Sequence, residues 1–204
     1  MTVRDVVIVP TGTANLASVL AAFRRLGSDP KVAATVAEVE RARRVVVPGV
    51  GSFGAAMGEL NRLGLLGALR ERIAENRPTL AICVGMQILA TTSEESEGID
   101  GLGTIAERVT RFPETVRVPQ LGWNQVSAGA GCEVLTDGWA YFANSYRFES
   151  VAEGWSAALT EHGGSFVAAV ERGNVLACQF HPELSGTWGR ELLGRWLDMT
   201  GGAA

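Results

Sequence analysis

Residues 78–89, Pro-Thr-Leu-Ala-Ile-Cys-Val-Gly-Met-Gln-Ile-Leu, leave this chain few folds to choose from. An apolar run led in by Pro78 and containing Ile82 reads as a buried strand, and Gly85 followed by Met86, Gln87, Ile88 and Leu89 reads as the start of a helix. Cys83 then sits on the turn between them. A sharp strand-turn-helix bend lifts one side chain above the edge of the sheet, and the open amides at a helix start favour an anion there, so a thiol in this place loses its proton more easily than a free one. Ala81 and Gly85, two residues to either side, are small enough for the bend. The same residues also suit a buried cysteine acting as a small hydrophobe, the usual fate of a cytosolic thiol.

The rest of the chain builds a sheet around this bend. Residues 3–9 predict a strand, and Leu16, Val19, Leu20, Phe23 and Leu26 follow at helical spacing. A second strand is expected near residues 31–34 and a third at residues 44–47, ending at Pro48-Gly49-Val50-Gly51. Such β-then-α alternation predicts a mostly parallel sheet with its ligand site at the carboxyl ends of the strands, so the loop of Gly49 to Gly51 and Cys83 should meet in one crevice. Leu60, Leu63, Leu66, Leu69 and Ile73 mark helices that cover the sheet. From residue 104 the pattern changes to short strands with glycine-rich turns, at residues 104–111, 120–127, 140–148, 156–160, 165–171 and 174–180, several of them antiparallel. Trp188, Leu192, Leu193, Trp196 and Leu197 predict a closing helix. The expected architecture is an α/β three-layer sandwich in a single domain over residues 1–204, with a mostly parallel central sheet and antiparallel strands in the second half. The loop at residues 11–15 has one glycine, too few for a dinucleotide fingerprint, and makes Asn15 a cap or surface contact.

A base for Cys83 has few sources, because the chain contains only His162 and His181. His162, in Glu-His-Gly-Gly, reads as a loop tip. His181 follows the strand candidate Val175 to Phe180 and opens His181-Pro182-Glu183. Proline disfavours a helical residue before it, and residues two apart on an extended chain point the same way, so Glu183 can orient the imidazole that moves a proton at sulfur. An ordinary surface His-Pro-Glu at the end of a strand gives the same string.

Composition removes other classes of function. A net charge of -4 with scattered basic residues argues against a nucleic-acid footprint. No run of about 18 apolar residues and no basic leader is present, which excludes a helical membrane span and predicts a cytoplasmic protein. Cys83, Cys132 and Cys178 are an odd count without a C-x-x-C pair, which speaks against disulfides and structural zinc and leaves Cys132 and Cys178 structural.

Taken together, Ala81-Ile82-Cys83-Val84-Gly85-Met86-Gln87 and Gln179-Phe180-His181-Pro182-Glu183 resemble the two signature strings of the triad (class I) glutamine amidotransferases, in the right order and at the right spacing. Val47 to Gly51, Ser93 to Ser96, Leu121-Gly122-Trp123-Asn124 and Tyr141 to Tyr146 add a resemblance to the glutaminase subunits of imidazole glycerol phosphate synthase that runs nearly end to end. It implies a flavodoxin-like fold and a glutaminase with the triad Cys83, His181 and Glu183. It also implies an oxyanion hole from the amides of Val84 and of Val50 or Gly51, and L-glutamine contacts from Gln87, Glu95 and the backbone of Ser145 and Tyr146, Glu95 facing the substrate ammonium. No metal or organic cofactor is implied, and the ammonia goes to a cyclase (βα)8-barrel subunit in a heterodimer. Without the resemblance, Glu94, Glu95 and Glu97 are solvated loop charges. Three departures stand out: Pro10 in place of an acid, Asn144 in place of a histidine, and Leu184 in place of a basic residue that pairs across the subunit interface. Rival readings are the glutaminase subunit of pyridoxal phosphate synthase, which the Leu-Gly-Trp-Asn string fits poorly, a cysteine-elbow hydrolase or chaperone, and an idle binding subunit.

Overall fold

The computed structural model describes residues 4–12 and 15–201, so Val3 of the first expected strand and Thr13 and Ala14 of the following loop lie outside the described residues. In chain order the elements are β1 (Arg4–Ile8), α1 (Leu16–Arg25), β2 (Ser28–Val32), α2 (Val36–Arg41), β3 (Val45–Gly49), α3 (Phe53–Arg62), α4 (Leu66–Ala74), β4 (Thr79–Cys83) and α5 (Val84–Gln87). Then come β5 (Thr92–Ser93), β6 (Arg108–Arg111), β7 (Gln120–Ala128), β8 (Gly138–Asn144), β9 (Tyr146–Phe148), β10 (Ser156–Glu161), β11 (Ser165–Arg172), β12 (Val175–Cys178), a 3-10 turn (Pro182–Leu184) and α6 (Gly186–Met199).

The main sheet runs β2-β1-β3-β4-β12-β11-β10-β7-β8. Its first five strands are parallel neighbours, and from β12 onward the pairs are antiparallel. β3, β4 and β12 are buried at every residue, as strands covered on both faces must be, which is why they read as apolar runs rather than as alternation. The crossovers β1-α1-β2 and β2-α2-β3 travel in opposite directions along the sheet, so right-handed connections put their helices on opposite faces. α6 joins α1 through the edge-on contact of Phe23 with Trp196, and α2 packs with α4. This is the expected layered α/β architecture. β2 lies earlier than expected, β6 keeps only the last residues of its predicted run, and the run at residues 140–148 is broken at Ser145 into β8 and β9. Asn15 caps α1, its side chain accepting from the Ser18 amide.

One buried charge ties the parallel half together. Arg72 of α4 is 1% exposed, and its guanidinium donates to the carbonyls of Val39, Ala42, Arg43 and Pro78, joining the end of α2 to the residues that launch β3 and β4. Burial, and then the charge of Arg77, lowers its pKa to about 10. Methionine keeps an unbranched apolar stem but removes all four of these bonds, and only the carbonyls of Pro78 and Ala42 keep another donor, from the Val45 amide and from Arg77, so Arg72→Met is expected to cost about 2–4 kcal/mol of stability. Chemical denaturation checks this, and a loss under about 1 kcal/mol, the size of one ordinary hydrogen bond, contradicts it.

Candidate active site

Cys83 is the last residue of β4 and adopts φ 55°, ψ -114°, a positive φ that residues other than glycine rarely take and that costs on the order of 1–3 kcal/mol. What holds it there is an interlock of backbones. A Cβ on Gly85 would lie 1.9 Å from the Val47 carbonyl oxygen, and one on Gly49 would lie 2.9 Å from the Gly85 nitrogen and from the Val84 side chain. Only two glycines let the end of β3 and the bend approach this closely, and the register pairs Gly49 with Cys83. The loop at Val50 and Gly51 is thereby set beside the sulfur. Gly51 itself has φ 93°. The helix after the bend corrects the sequence-based expectation: α5 is a single turn beginning at Val84, so helix polarity contributes less at Cys83 than the pattern Met86 to Leu89 suggested.

His181 approaches from the end of β12 with an extended backbone, φ -100° and ψ 95°. Its side chain and that of Glu183 are buried, and Nδ1 lies 2.9 Å from Glu183 Oε1. Glu183 is not on an extended chain, as the two-residue argument supposed. It belongs to the 3-10 turn that Pro182 opens, and the turn carries its carboxylate back under the ring. Ser185, which the sequence reading missed, pins this arrangement: buried, it donates to the His181 carbonyl at 2.6 Å and accepts from the Tyr141 amide at 3.0 Å. Nothing in the motif marks that serine. Burial works against a charge on the His181 ring, but hydrogen bonds to Cys83 and Glu183 and their charges outweigh it, and the pKa is pushed up to about 10.

Every nominated site residue except Glu183 lines one cavity of ≈ 190 Å³, in which Val50, Gly51, Cys83, Val84, Gln87, Glu95, Ser145, Tyr146 and His181 meet Ala143 and Asn144. Glu183 stands behind His181 and borders a separate hollow between α1 and α6. Glu95 is no free loop charge: the Phe53 amide at the start of α3 donates to its Oε2 at 2.6 Å, while the Gly54 amide donates to Ser96 at 3.0 Å, so the acidic loop is docked beside the cavity. The Gln87 amide nitrogen is already committed, to the Tyr146 carbonyl at 3.2 Å and to Gln179 Oε1 at 2.9 Å, which leaves its own oxygen for a ligand. Asn144 also donates to the Tyr146 carbonyl, at 3.0 Å, and the Ser145 carbonyl accepts from Phe112.

The competing groups lie elsewhere. His162 reaches the Arg117 carbonyl at 2.8 Å and stacks edge-on against Phe112. Burial, then the charge of Glu171, pushes the Cys132 thiol up, and burial with Glu183 and Glu171 pushes the fully buried Cys178 well up, so neither is primed as a nucleophile. Among the described residues no cluster of three His, Cys, Asp or Glu side chains could hold a metal ion, and no helix is long and apolar enough to cross a membrane.

A strained thiol on a strand-to-helix bend, facing an imidazole that a carboxylate supports, is the arrangement of an amide-cleaving nucleophile. The chain belongs to the class-I glutamine amidotransferases, whose family profile matches residues 7–197. Solved structures agree on the fold: a glutamine amidotransferase (TM-score 0.77, 23% identity, 96% of this chain and 98% of that one) and PurLQS from Thermotoga maritima (TM-score 0.74, 15% identity, 95% and 97%). Within the class the chain belongs with the imidazole glycerol phosphate synthase subunits HisH. It is 40% identical to that of Symbiobacterium thermophilum over 195 residues (94% of this chain, 92% of that protein) and 41% identical to that of Yersinia pestis over 200 residues (96% and 100%). It also matches the chloroplastic imidazole glycerol phosphate synthase hisHF of Arabidopsis thaliana, 40% identical over 199 residues, spanning 94% of this chain and 34% of that protein.

Proposed function

We propose that this chain is, as one domain, the glutaminase of an imidazole glycerol phosphate synthase and that it works in the cytoplasm. Cys83 attacks the side-chain carbonyl carbon of L-glutamine, and the oxygen that becomes negative is met by the amides of Val84 and of Val50 or Gly51. His181, charged at neutral pH, gives its proton to the departing nitrogen as the C–N bond breaks, so ammonia leaves and a thioester to Cys83 remains. Water then adds to the thioester while His181 takes its proton, and collapse releases glutamate and restores the thiolate-imidazolium pair. Glu183 keeps Nδ1 protonated and the ring in place. Glu95 receives the substrate ammonium, and Gln87, Ser145 and Tyr146 complete the substrate contacts. The observation that carries the reading is the convergence of Cys83, His181, Val50 and Gly51 on one small cavity.

The ammonia goes to a cyclase subunit built as a (βα)8 barrel, bound as a heterodimer that makes imidazole glycerol phosphate and AICAR in histidine biosynthesis. The Arabidopsis hisHF protein supports a partner, since two thirds of its length lies outside the match to this chain. So does the outer face of the β7-β8 ribbon, where Leu121, Trp123 and Trp139 are 65%, 54% and 57% exposed. Leu121 pairs in register with Ala143, which lines the catalytic cavity, so this apolar face begins one strand away from the site. Leu184, also exposed, sits next to Glu183 and brings an apolar rather than a charged contact to the same partner.

The Gly49 to Gly51 loop offers a gate, because a peptide next to glycine can present an amide in one orientation and a carbonyl in the other at small cost. Glutamate release by the chain alone is expected to be weak and to rise about a hundredfold when the cyclase partner and its nucleotide-like substrate are added, a gain of about 2.7 kcal/mol and comparable to one oxyanion donor brought into place. Replacing Gly51 with alanine, strained at φ 93°, should change this stimulation more than glutamine affinity. Full activity alone, unchanged on addition, contradicts the assignment to this synthase.

A further inference from the structure

We infer that Gln179 is a further residue of the catalytic machinery, its side-chain amide donating an N–H to the Cys83 sulfur and holding the nucleophile as an anion beside His181. Gln179 is 0% exposed, lies two residues before His181, and its Nε2 is 3.7 Å from Cys83 Sγ. Nothing in the cavity wall includes it, so it reaches the sulfur from behind.

A chain of bonds fixes which end of the amide faces the sulfur. The Tyr146 carbonyl can only accept, so the atom of Gln87 that meets it must be Nε2. That same nitrogen also reaches Gln179 at 2.9 Å, and the Gln179 atom there must therefore be an acceptor, Oε1. Nε2 of Gln179 is then left pointing at Sγ. Reversing either amide would set two donors, or two acceptors, against each other in a buried place. The Tyr146-Gln87-Gln179 chain thus ends in a donor that an ionised sulfur can use and that a neutral thiol needs less. The charged and titratable groups facing the sulfur are His181, with Glu183 behind it, and Glu95 and Tyr146 across the cavity. Among these, His181 is the one cation. Gln179 supplies a second donor that, unlike His181, carries no proton to be transferred, so it can hold the sulfur through every step while His181 changes charge.

This inference rests on the glutaminase reading, and one experiment separates the two. Cys83 is alkylated across a pH series with iodoacetamide, a small neutral electrophile, and the modified peptide is quantified by mass. In Gln179→Met, similar in length but without a donor, the labelling midpoint should move up by about one pH unit and kcat should fall about tenfold. Gln179→Glu, which turns a carboxylate toward the sulfur, should move the midpoint further in the same direction. A thermal melt establishes that each variant is folded. In the unaltered protein the Gln179 side-chain amide resonances should titrate with the Cys83 midpoint and lose that response in Cys83→Ser. An unmoved midpoint in folded Gln179→Met, or an amide signal that ignores the Cys83 titration, overturns the role of Gln179. No labelling of Cys83 in the unaltered protein would instead overturn the glutaminase reading itself.

Discussion

Glutamine hydrolysis is expected to fall by a factor on the order of 10³ or more in Cys83→Ala, because alanine offers nothing to form the thioester and the remaining binding groups cannot replace a covalent step. The fold should survive. Cys83 is buried but small, its sulfur meets only the side chains of Gln179 and His181, and the unusual backbone at this position goes with the close approach that Gly49 and Gly85 allow rather than with the sulfur. Glutamine should still bind, since Glu95, Gln87 and the Ser145-Tyr146 backbone are untouched, and calorimetric titration of the inactive variant measures this directly. Activity near that of the unaltered chain would move the nucleophile elsewhere, and Cys132 and Cys178, both pushed away from ionisation, are poor substitutes.

Glu183→Gln is expected to lower kcat by about 10²–10⁴ while leaving KM nearly unchanged. The carboxylate lies behind His181 and outside the substrate cavity, so its loss removes support for the imidazolium without removing a substrate contact. An amide in its place can present its N–H to Nδ1 and hold the ring in the wrong tautomer. It also removes a charge that raises the His181 pKa from 6.5 toward 10. The alkaline limb of kcat should therefore shift to lower pH, because the proton needed by the leaving nitrogen is lost earlier. An unchanged kcat and an unmoved alkaline limb would take Glu183 out of the mechanism.

How much of this was legible in the sequence depended on whether the cause was local. The bend at Cys83 could be read, since a strand ending in a small-residue turn is written in consecutive residues, and the buried parallel strands announce themselves as apolar runs. His181 and Glu183 could be paired, although for a partly mistaken reason: a turn, not an extended chain, brings them together. The length of α5 could not be read. Its continuation is cut off because the carbonyls of Ile88, Leu89 and Ala90 accept from the amides of Leu102, Gly103, Thr104 and Ile105, a loop whose approach requires Gly101 against the Ala90 oxygen. The roles of Gln179 and Ser185 were also hidden, although Gln179 stands in the signature string, because the contacts that reveal them reach Cys83 and Tyr141 across 96 and 44 residues. The capping of α3 by Glu95 belongs to the same kind, a bond spanning 42 residues that turns an apparent surface charge into part of the cavity wall.

The central claim is that Cys83, and no other thiol, opens the amide of glutamine. The complex of this chain with the proposed cyclase partner and a nucleotide-like substrate is treated with a glutamine-mimicking electrophile, and residual glutamate production is compared with the label found by peptide mapping. The account predicts one label per chain, on Cys83 alone, with activity lost in proportion to its occupancy and protected by added glutamine. Label on Cys132 or Cys178, or full glutamate production from a chain completely modified at Cys83, would contradict it.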